Sequence, residues 1–231
     1  MKTIGLIGGM SWESTVPYYR LINEAVKARL GGLHSAKIVL YSVDFHEIEQ
    51  LQRSGEWETA GEALAKAARR LEMAGADFLM ICANTMHKVA PAIELEVHIP
   101  LLHVVDATAA QIRAAGFKKV GLLGTRFTME QAFYGDRLKE QGLDVITPDQ
   151  ADRDIVHRVI YEELCVGKFV EPSRAEYRRI MAALVDKGAE AIILGCTEIA
   201  LLVTPEDSAV PLFDTTRIHA QAAVDFALGD D

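Results

Sequence analysis

The chain has 231 residues and half of them are hydrophobic, which gives room for one large domain or two domains of about 100 residues and excludes a disordered or fibrous protein. Its 24 Lys and Arg residues against 33 Asp and Glu residues give a formal net charge of -9, so it offers no basic surface for nucleic acid. No apolar run approaches the roughly 18 residues of a membrane span, the N-terminus lacks the apolar stretch of a signal peptide, and the three cysteines are too few and too scattered for a disulfide framework. We therefore expect a cytoplasmic globular protein with reduced thiols that binds neither nucleic acid nor membrane.

Short apolar runs alternate with helical patterns along the chain. Five runs rich in Ile, Val and Leu are typical of buried strands, at residues 3–7, 37–43, 78–82, 119–123 and 191–194. Amphipathic helices are predicted over residues 56–73 and 173–187, the second with a capping box formed by Ser173 and Glu176. Alternating strands and helices indicate parallel sheets joined by crossover helices, which is an α/β fold.

The sequence repeats itself at three places, in the same order in both halves. Residue 4 matches residue 120, residue 71 matches residue 184 and, more loosely, residue 99 matches residue 210, each with its flanking residues. Concordant matches in chain order favour duplication of one α/β unit. They predict two pseudo-symmetric domains, each a parallel sheet flanked by helices, with the active site in the cleft between them. We expect the first domain to span 1–100 plus 210–231 and the second 101–209, because equivalent segments from Pro to Asp-Thr close each half.

The repeat places a polar motif at the end of one strand in each half, residues 82–85 (Cys-Ala-Asn-Thr) and residues 195–198 (Gly-Cys-Thr-Glu). Cys196 follows an apolar strand and precedes a predicted helix start. The helix dipole would lower the pKa of its thiol from about 8.5 and favour the thiolate. The alternative is that Cys196 is a small buried core residue, the usual position of a free cysteine.

Further polar residues at these strand ends are candidates for ligand binding. Side-chain and backbone donors of Asn84, Thr85 and Thr197 could hold a carboxylate, although Asn and Thr also suit ordinary helix capping. Residues 8–11 form a glycine turn that could bring backbone N–H groups near a ligand but is not a dinucleotide fingerprint, and Thr125 lies in its counterpart. The histidines do not cluster as metal ligands and no lysine has a pyridoxal phosphate context, so we expect no metal and no cofactor.

This combination resembles the aspartate/glutamate racemase family, in the branch of broad-specificity and L-aspartate/glutamate-specific amino-acid racemases. The resemblance covers nearly the whole chain and is carried by residues 4–15, 42–45, 84–87, 195–198 and 213–215. It implies two α/β domains, a small amino-acid substrate, a homodimer, and racemisation without pyridoxal phosphate or metal. In such enzymes two cysteines face each other across the substrate: one removes the α-proton while the other returns a proton to the opposite face.

The resemblance also implies roles for individual residues. It makes Cys196 one of the two acid/base groups. The positions that match substrate contacts in this branch are Met10, Gln52, Asn84, Thr85 and Thr197. We add Thr125 and Glu198 as candidate substrate-binding residues, because both are polar and lie at strand ends. Some aspartate-specific relatives have a lysine where Cys165 aligns, and we interpret Cys165 as a packing residue within a helical pattern.

The sequence departs from the family pattern at position 83. The family's first cysteine directly precedes Asn-Thr, and here that position is Ala83, which also aligns with Cys196 in the internal repeat. Cys82 cannot replace it, because successive side chains of a strand point to opposite faces, so Cys82 should face the core. Three explanations stay open: a substitution introduced to silence the enzyme, a natural one-base mechanism with water or another donor opposite Cys196, or a reaction that needs one cysteine.

The leading hypothesis is a cofactor-independent racemase acting on aspartate, glutamate or a broader set of amino acids. One alternative is a decarboxylase that uses a single cysteine, as in the related arylmalonate decarboxylases. Another is a non-catalytic amino-acid-binding protein built on the same scaffold.

Overall fold

The computed structural model describes residues 1–229 as two compact units. The first unit comprises Met1–Val104 and the segment that starts at His219, and the second unit comprises Val105–Ile218. Residues 230 and 231, which end the segment 210–231 of the predicted first domain, lie outside the described residues. The cleft between the domains stays a prediction of the sequence.

Strands and helices alternate in both units. The strands are β1 (Ile4–Gly8), β2 (Ile38–Ser42), β3 (Phe78–Ile81), β4 (Lys119–Gly124), β5 (Asp144–Ile146), β6 (Ala191–Gly195) and β7 (Leu212–Asp214). The helices are α1 (Trp12–Leu30), α2 (Phe45–Ser54), α3 (Trp57–Met73), α4 (Ala90–Glu94), α5 (Val104–Ala114), α6 (Arg126–Glu130), α7 (Ala132–Glu140), α8 (Gln150–Glu162), α9 (Glu171–Asp186), α10 (Ile199–Leu202) and α11 (Thr215–Leu228). Short 3-10 helices cover Thr85–Val89, Leu164–Val166 and Pro205–Asp207.

Each unit is built on one parallel sheet, and the three-strand order of the first sheet recurs in the second, which has one more strand. The strand order is β2-β1-β3 in the first unit and β5-β4-β6-β7 in the second. Ile4 pairs with Phe78, and Val120 pairs with Ala191, so the matched residues of the repeat occupy the same register. The α/β fold with two parallel sheets flanked by helices is therefore confirmed, and the duplication is visible in the strand pairing.

The central strand of the first unit has a buried core on each face of the sheet. All five residues of β1 are buried, with Ile4 and Leu6 packed beside Tyr18 of α1. Ile7 points to the opposite face and packs in a second cluster with Leu64 of α3. A continuous apolar run is what a strand covered on both faces requires, and this explains why its pattern does not alternate.

The structure differs from the sequence-based expectations at element ends. The strands β5 and β7 were not predicted, and each has only three residues. Because β7 pairs with β6, residues 210–218 lie in the second unit rather than in the first. The capping box at Ser173 is wrong: α9 begins at Glu171, and the Ser173 hydroxyl donates instead to Glu163, at 2.6 Å. Among residues 1–229, no helix has the length and apolar character needed to cross a membrane.

Candidate active site

The first unit contributes a glycine turn at the carboxyl end of β1. Gly9 has a φ of +89°, and a Cβ there would lie 2.3 Å from the Val43 carbonyl oxygen, so only glycine fits this turn. The Gly9 N–H donates to the Thr15 hydroxyl at 2.8 Å, so this backbone donor is already occupied inside the protein. Ser11 then caps α1 by accepting from the Ser14 N–H.

Candidate residues from three segments of the first unit meet in one buried cluster. Met10 from the glycine turn and Ala83 from the end of β3 both pack in it, together with Met86. The Gln52 amide, buried on α2, donates to the Met86 sulfur at 2.9 Å. Gln52 therefore contacts, through Met86, the same buried cluster that contains Met10 and Ala83.

Directly after β3, the side chains of Cys82 and Ala83 lie on opposite faces of the sheet, as the sequence predicted. Cys82 is fully buried in the cluster that contains Tyr18, on one face of the sheet, whereas Ala83 packs in the cluster on the other face. Burial raises the pKa of the Cys82 thiol, which stays protonated. Cys82 therefore cannot supply the acid/base group that position 83 lacks. Asn84 and Thr85 follow directly and are both buried.

The second unit contributes a thiol and a carboxylate in direct contact. Cys196 directly follows β6 and is 9% exposed, and its thiol donates to Oε2 of Glu198 at 3.0 Å. The half-buried Cys165 donates to the other oxygen, Oε1 of Glu198, at 3.6 Å. One buried carboxylate therefore contacts two thiols, and Cys165 is more than the packing residue that the sequence indicated.

The expected direction of the Cys196 pKa shift is wrong. Burial, and then the negative charge of Glu198, raise the pKa of the Cys196 thiol well above its usual range. The helix expected to lower it, α10, has only four residues and offers a small dipole. Cys196 is therefore a protonated thiol in the resting protein, and a base beside it is needed to generate the thiolate.

The remaining candidates of the second unit lie on adjacent strands. Gly124 at the end of β4 pairs with Gly195 at the end of β6, so Thr125 and Cys196 leave the sheet side by side. Thr125 is buried and caps α6 by accepting from the Thr128 N–H at 3.3 Å. Thr197, which lies between Cys196 and Glu198 in the sequence, is also buried.

Two buried polar atoms of the described residues have no hydrogen-bond partner, Oε2 of Glu13 and Oγ1 of Thr216. Glu13 follows the glycine turn after β1, and Thr216 follows β7. Buried polar atoms are nearly always paired in folded proteins, so an unpaired one is a candidate for binding a ligand. Sequence reasoning assigned neither a role, although Glu13 lies within residues 4–15, which carried the family resemblance, and Thr216 directly follows residues 213–215. No cluster of His, Cys, Asp and Glu suited to a metal ion occurs among residues 1–229.

A family model described as Asp/Glu/hydantoin racemase matches residues 7–223. The chain belongs to this family. It is 61% identical to a provisional Asp/Glu racemase from Yersinia pestis, with a TM-score of 0.92 over 99% of this chain and 100% of that one. It is 35% identical to an aspartate racemase homologue from Pyrococcus horikoshii OT3, with a TM-score of 0.86 and the same coverage. It is also 24% identical to the broad-specificity amino-acid racemase RacX of Bacillus subtilis strain 168 over 96% of both chains. Family membership supports an amino-acid racemase function.

Proposed function

We propose that this protein is an amino-acid racemase that needs neither pyridoxal phosphate nor metal and acts on aspartate, glutamate or a broader set. Cys196 is the acid/base group on one face of the substrate, and position 83 is where the opposite group is missing. The observation that carries this proposal is the buried thiol of Cys196 held 3.0 Å from the Glu198 carboxylate at a strand end.

Proton transfer at Cys196 begins with the pair that it forms with Glu198. The thiol proton passes to Oε2 of Glu198, and the resulting thiolate removes the α-proton of the amino acid to leave a carbanion. Return of the proton to the same face restores the starting enantiomer, and delivery of a proton to the opposite face inverts it. Water or another donor supplies the proton on that face, because alanine has no proton to give. The hydroxide that water leaves is neutralised, through solvent, by the proton held on Glu198.

Stabilisation of the carbanion falls to groups around the substrate carboxylate. We assign this role to donors of Asn84 and Thr85 in the first unit and to donors of Thr197 and Thr125 in the second. An oriented donor of this kind is worth about 3 kcal/mol in the transition state. Glu13, whose buried oxygen has no partner among the described residues, is suited to the substrate ammonium group. Met10 and Gln52 are assigned to the end of the site that receives the substrate side chain.

The experiment is solvent deuterium exchange at Cα of L- and D-aspartate and L- and D-glutamate. It compares this chain with Ala83→Cys and Ala83→Thr, each with and without Cys196→Ala. We expect exchange that requires Cys196 in this chain and in Ala83→Thr, and that Ala83→Cys accelerates. Unchanged exchange after loss of the Cys196 thiol contradicts the proposal. Binding of an amino acid without exchange, even with cysteine at 83, indicates a binding protein instead.

One observation favours a second candidate function. The protonated thiol of Cys196 fits a decarboxylase that uses a single cysteine, in which a disubstituted malonate loses carbon dioxide and the thiol protonates one face of the carbanion. Release of carbon dioxide from such a malonate, without exchange at Cα of aspartate, distinguishes this reaction from racemisation.

We also infer a homodimer. On α1, Trp12, Val16 and Tyr19 form an exposed apolar stripe at helical spacing, and each is more than half exposed. Sedimentation of the native chain and of Val16→Glu tests this: we expect a dimer that the charge weakens, and a native monomer contradicts it. The cytoplasmic location stays a prediction of the sequence.

A further inference from the structure

Three buried histidines cluster in the first unit, beside the residues assigned to substrate binding. The ring centroids of His87 and His103 lie 4.4 Å apart, and those of His87 and His219 lie 5.8 Å apart. Burial, and then the two neighbouring imidazoles, lower the pKa of His87 well below its usual range, so its ring is neutral. None of these rings has a part in the proton transfer at Cys196.

The hydrogen bonds of His87 fix which of its nitrogens carries the proton. Nδ1 lies 2.8 Å from the Ala83 carbonyl oxygen, which can only accept, so Nδ1 donates. Nε2 accepts the backbone N–H of Val104 at 3.3 Å. A neutral ring with its proton on Nδ1 satisfies both partners, whereas a second proton would oppose the Val104 N–H.

The Ala83 carbonyl belongs to the peptide group that leads into Asn84. The Asn84 carbonyl in turn accepts the backbone N–H of His87 at 3.1 Å. The turn at residues 83–85 is therefore held twice by His87, once by its ring and once by its main chain. The backbone N–H groups of Asn84 and Thr85 change direction only if this turn moves, and burial restricts the rotation of their side chains.

We propose that His87 is a positioning residue of this site, whose ring ties the Ala83 carbonyl to the Val104 N–H and so sets the direction of the Asn84 and Thr85 donors. The effect on the turn depends only on the contacts of His87. The effect on ligand binding rests on the proposed function, in which these donors hold the carboxylate of an amino acid.

His219 provides the matched control, because it is an equally buried histidine with two hydrogen bonds. Its Nε2 donates to the Leu102 carbonyl at 2.8 Å, and its Nδ1 accepts the Tyr18 hydroxyl at 2.9 Å. Neither partner belongs to residues 83–85. Replacement of His219 removes packing and two hydrogen bonds of the same kind, and it can reach the turn only through the edge contact with the His87 ring.

Two amide substitutions separate the two hydrogen bonds of His87. His87→Asn places an N–H donor near the Nδ1 position and keeps the bond to Ala83. His87→Gln places a carbonyl oxygen near the Nε2 position and keeps the bond to Val104 while losing the bond to Ala83. The readouts are the backbone amide resonances of Asn84 and Thr85 without ligand, the melting temperature, and the Kd for L-glutamate and L-aspartate by titration calorimetry.

We expect His87→Gln to move both resonances and to weaken binding about tenfold, since small misplacement of substrate-positioning groups is costly. His87→Asn should keep both resonances and stay within about threefold of the native Kd, and His219→Gln should lower the melting temperature without changing the Kd. Equal effects of the two His87 variants, or unchanged resonances in His87→Gln, overturn the proposal. If His87→Gln does not fold, His87→Asn tests the proposal instead, because shifted resonances of Asn84 and Thr85 in His87→Asn would overturn the proposed role of His87. If the native chain binds neither amino acid, aspartate and glutamate are excluded as substrates of the proposed racemase, and the resonances without ligand still decide the role of His87.

Discussion

The ends of β3 and β6 are equivalent in topology and register, yet they differ in chemistry. Residues 195–198 carry a thiol against a carboxylate, whereas residues 82–85 carry a methyl group at the matching position and a neutral histidine behind the turn. Duplication preserved the backbone at both ends, because strand pairing depends on the main chain and on apolar side chains. The acid/base group is a single side chain, so it can be lost from one end without cost to the fold.

The largest effect is expected from replacing Cys196, the reactive side chain at the end of β6. Cys196→Ser should lower Cα exchange at least about 1000-fold, because a serine hydroxyl is far less acidic than a thiol. Exchange followed by mass spectrometry measures it. Cys82→Ala is the control from the other strand end: it should leave exchange unchanged while lowering stability by about 1 kcal/mol. Loss of exchange in Cys82→Ala would contradict the assignment of the two thiols.

The second prediction restores the missing group. Ala83→Cys should raise the rate of inversion about 100-fold, since a positioned acid typically contributes a factor of 100 or more. Ala83→Ser is the control, because it adds a similar atom without the acidity of a thiol. Polarimetry or chiral chromatography measures inversion. Equal gains in both variants would show that polarity at position 83, rather than proton transfer, is what matters.

The third prediction concerns the partner of the thiol. Glu198→Gln removes the negative charge that raises the pKa of Cys196, so this pKa should fall and alkylation by iodoacetamide should begin at a lower pH. Exchange should nonetheless fall about tenfold, because the base that accepts the thiol proton is lost. Burial is the larger cause of the shift, so the pKa stays above its usual range. A higher pKa in Glu198→Gln would contradict this account.

The smallest effect is expected at the histidine cluster of the first unit. Tyr18→Phe removes the hydroxyl that donates to His219 and should destabilise the protein by about 1 to 2 kcal/mol. Urea unfolding measures the loss. Exchange at 25 °C should not change, since the hydrogen bond that is lost joins Tyr18 to His219 and not to the turn at 83–85.

The fold could be predicted largely from the sequence, because its signals are local. Apolar runs marked the five longer strands, and the repeat matched β1 with β4 and β3 with β6, which occupy equivalent positions in the two sheets. Strict alternation along β3 correctly placed Cys82 and Ala83 on opposite faces. Strands of three residues, β5 and β7, are too short to give such a pattern.

The electrostatics of the site could not be predicted, because they arise from tertiary contacts. Cys165 reaches Glu198 across 33 residues of chain, and the Val104 N–H reaches His87 across 17. The Cys196 thiol was expected to ionise easily because a helix was expected to follow it. Its burial and the carboxylate two residues away outweigh a helix of only four residues.

Solvent deuterium labelling that separates exchange with retention from inversion tests the central claim most directly. A site with one thiol should incorporate deuterium into one enantiomer of its substrate with retained configuration faster than it inverts that enantiomer, and Ala83→Cys should bring the two rates together. Equal rates of retention and inversion in the native chain, unaffected by replacement of Cys196, would contradict the claim that a single strand end carries the chemistry.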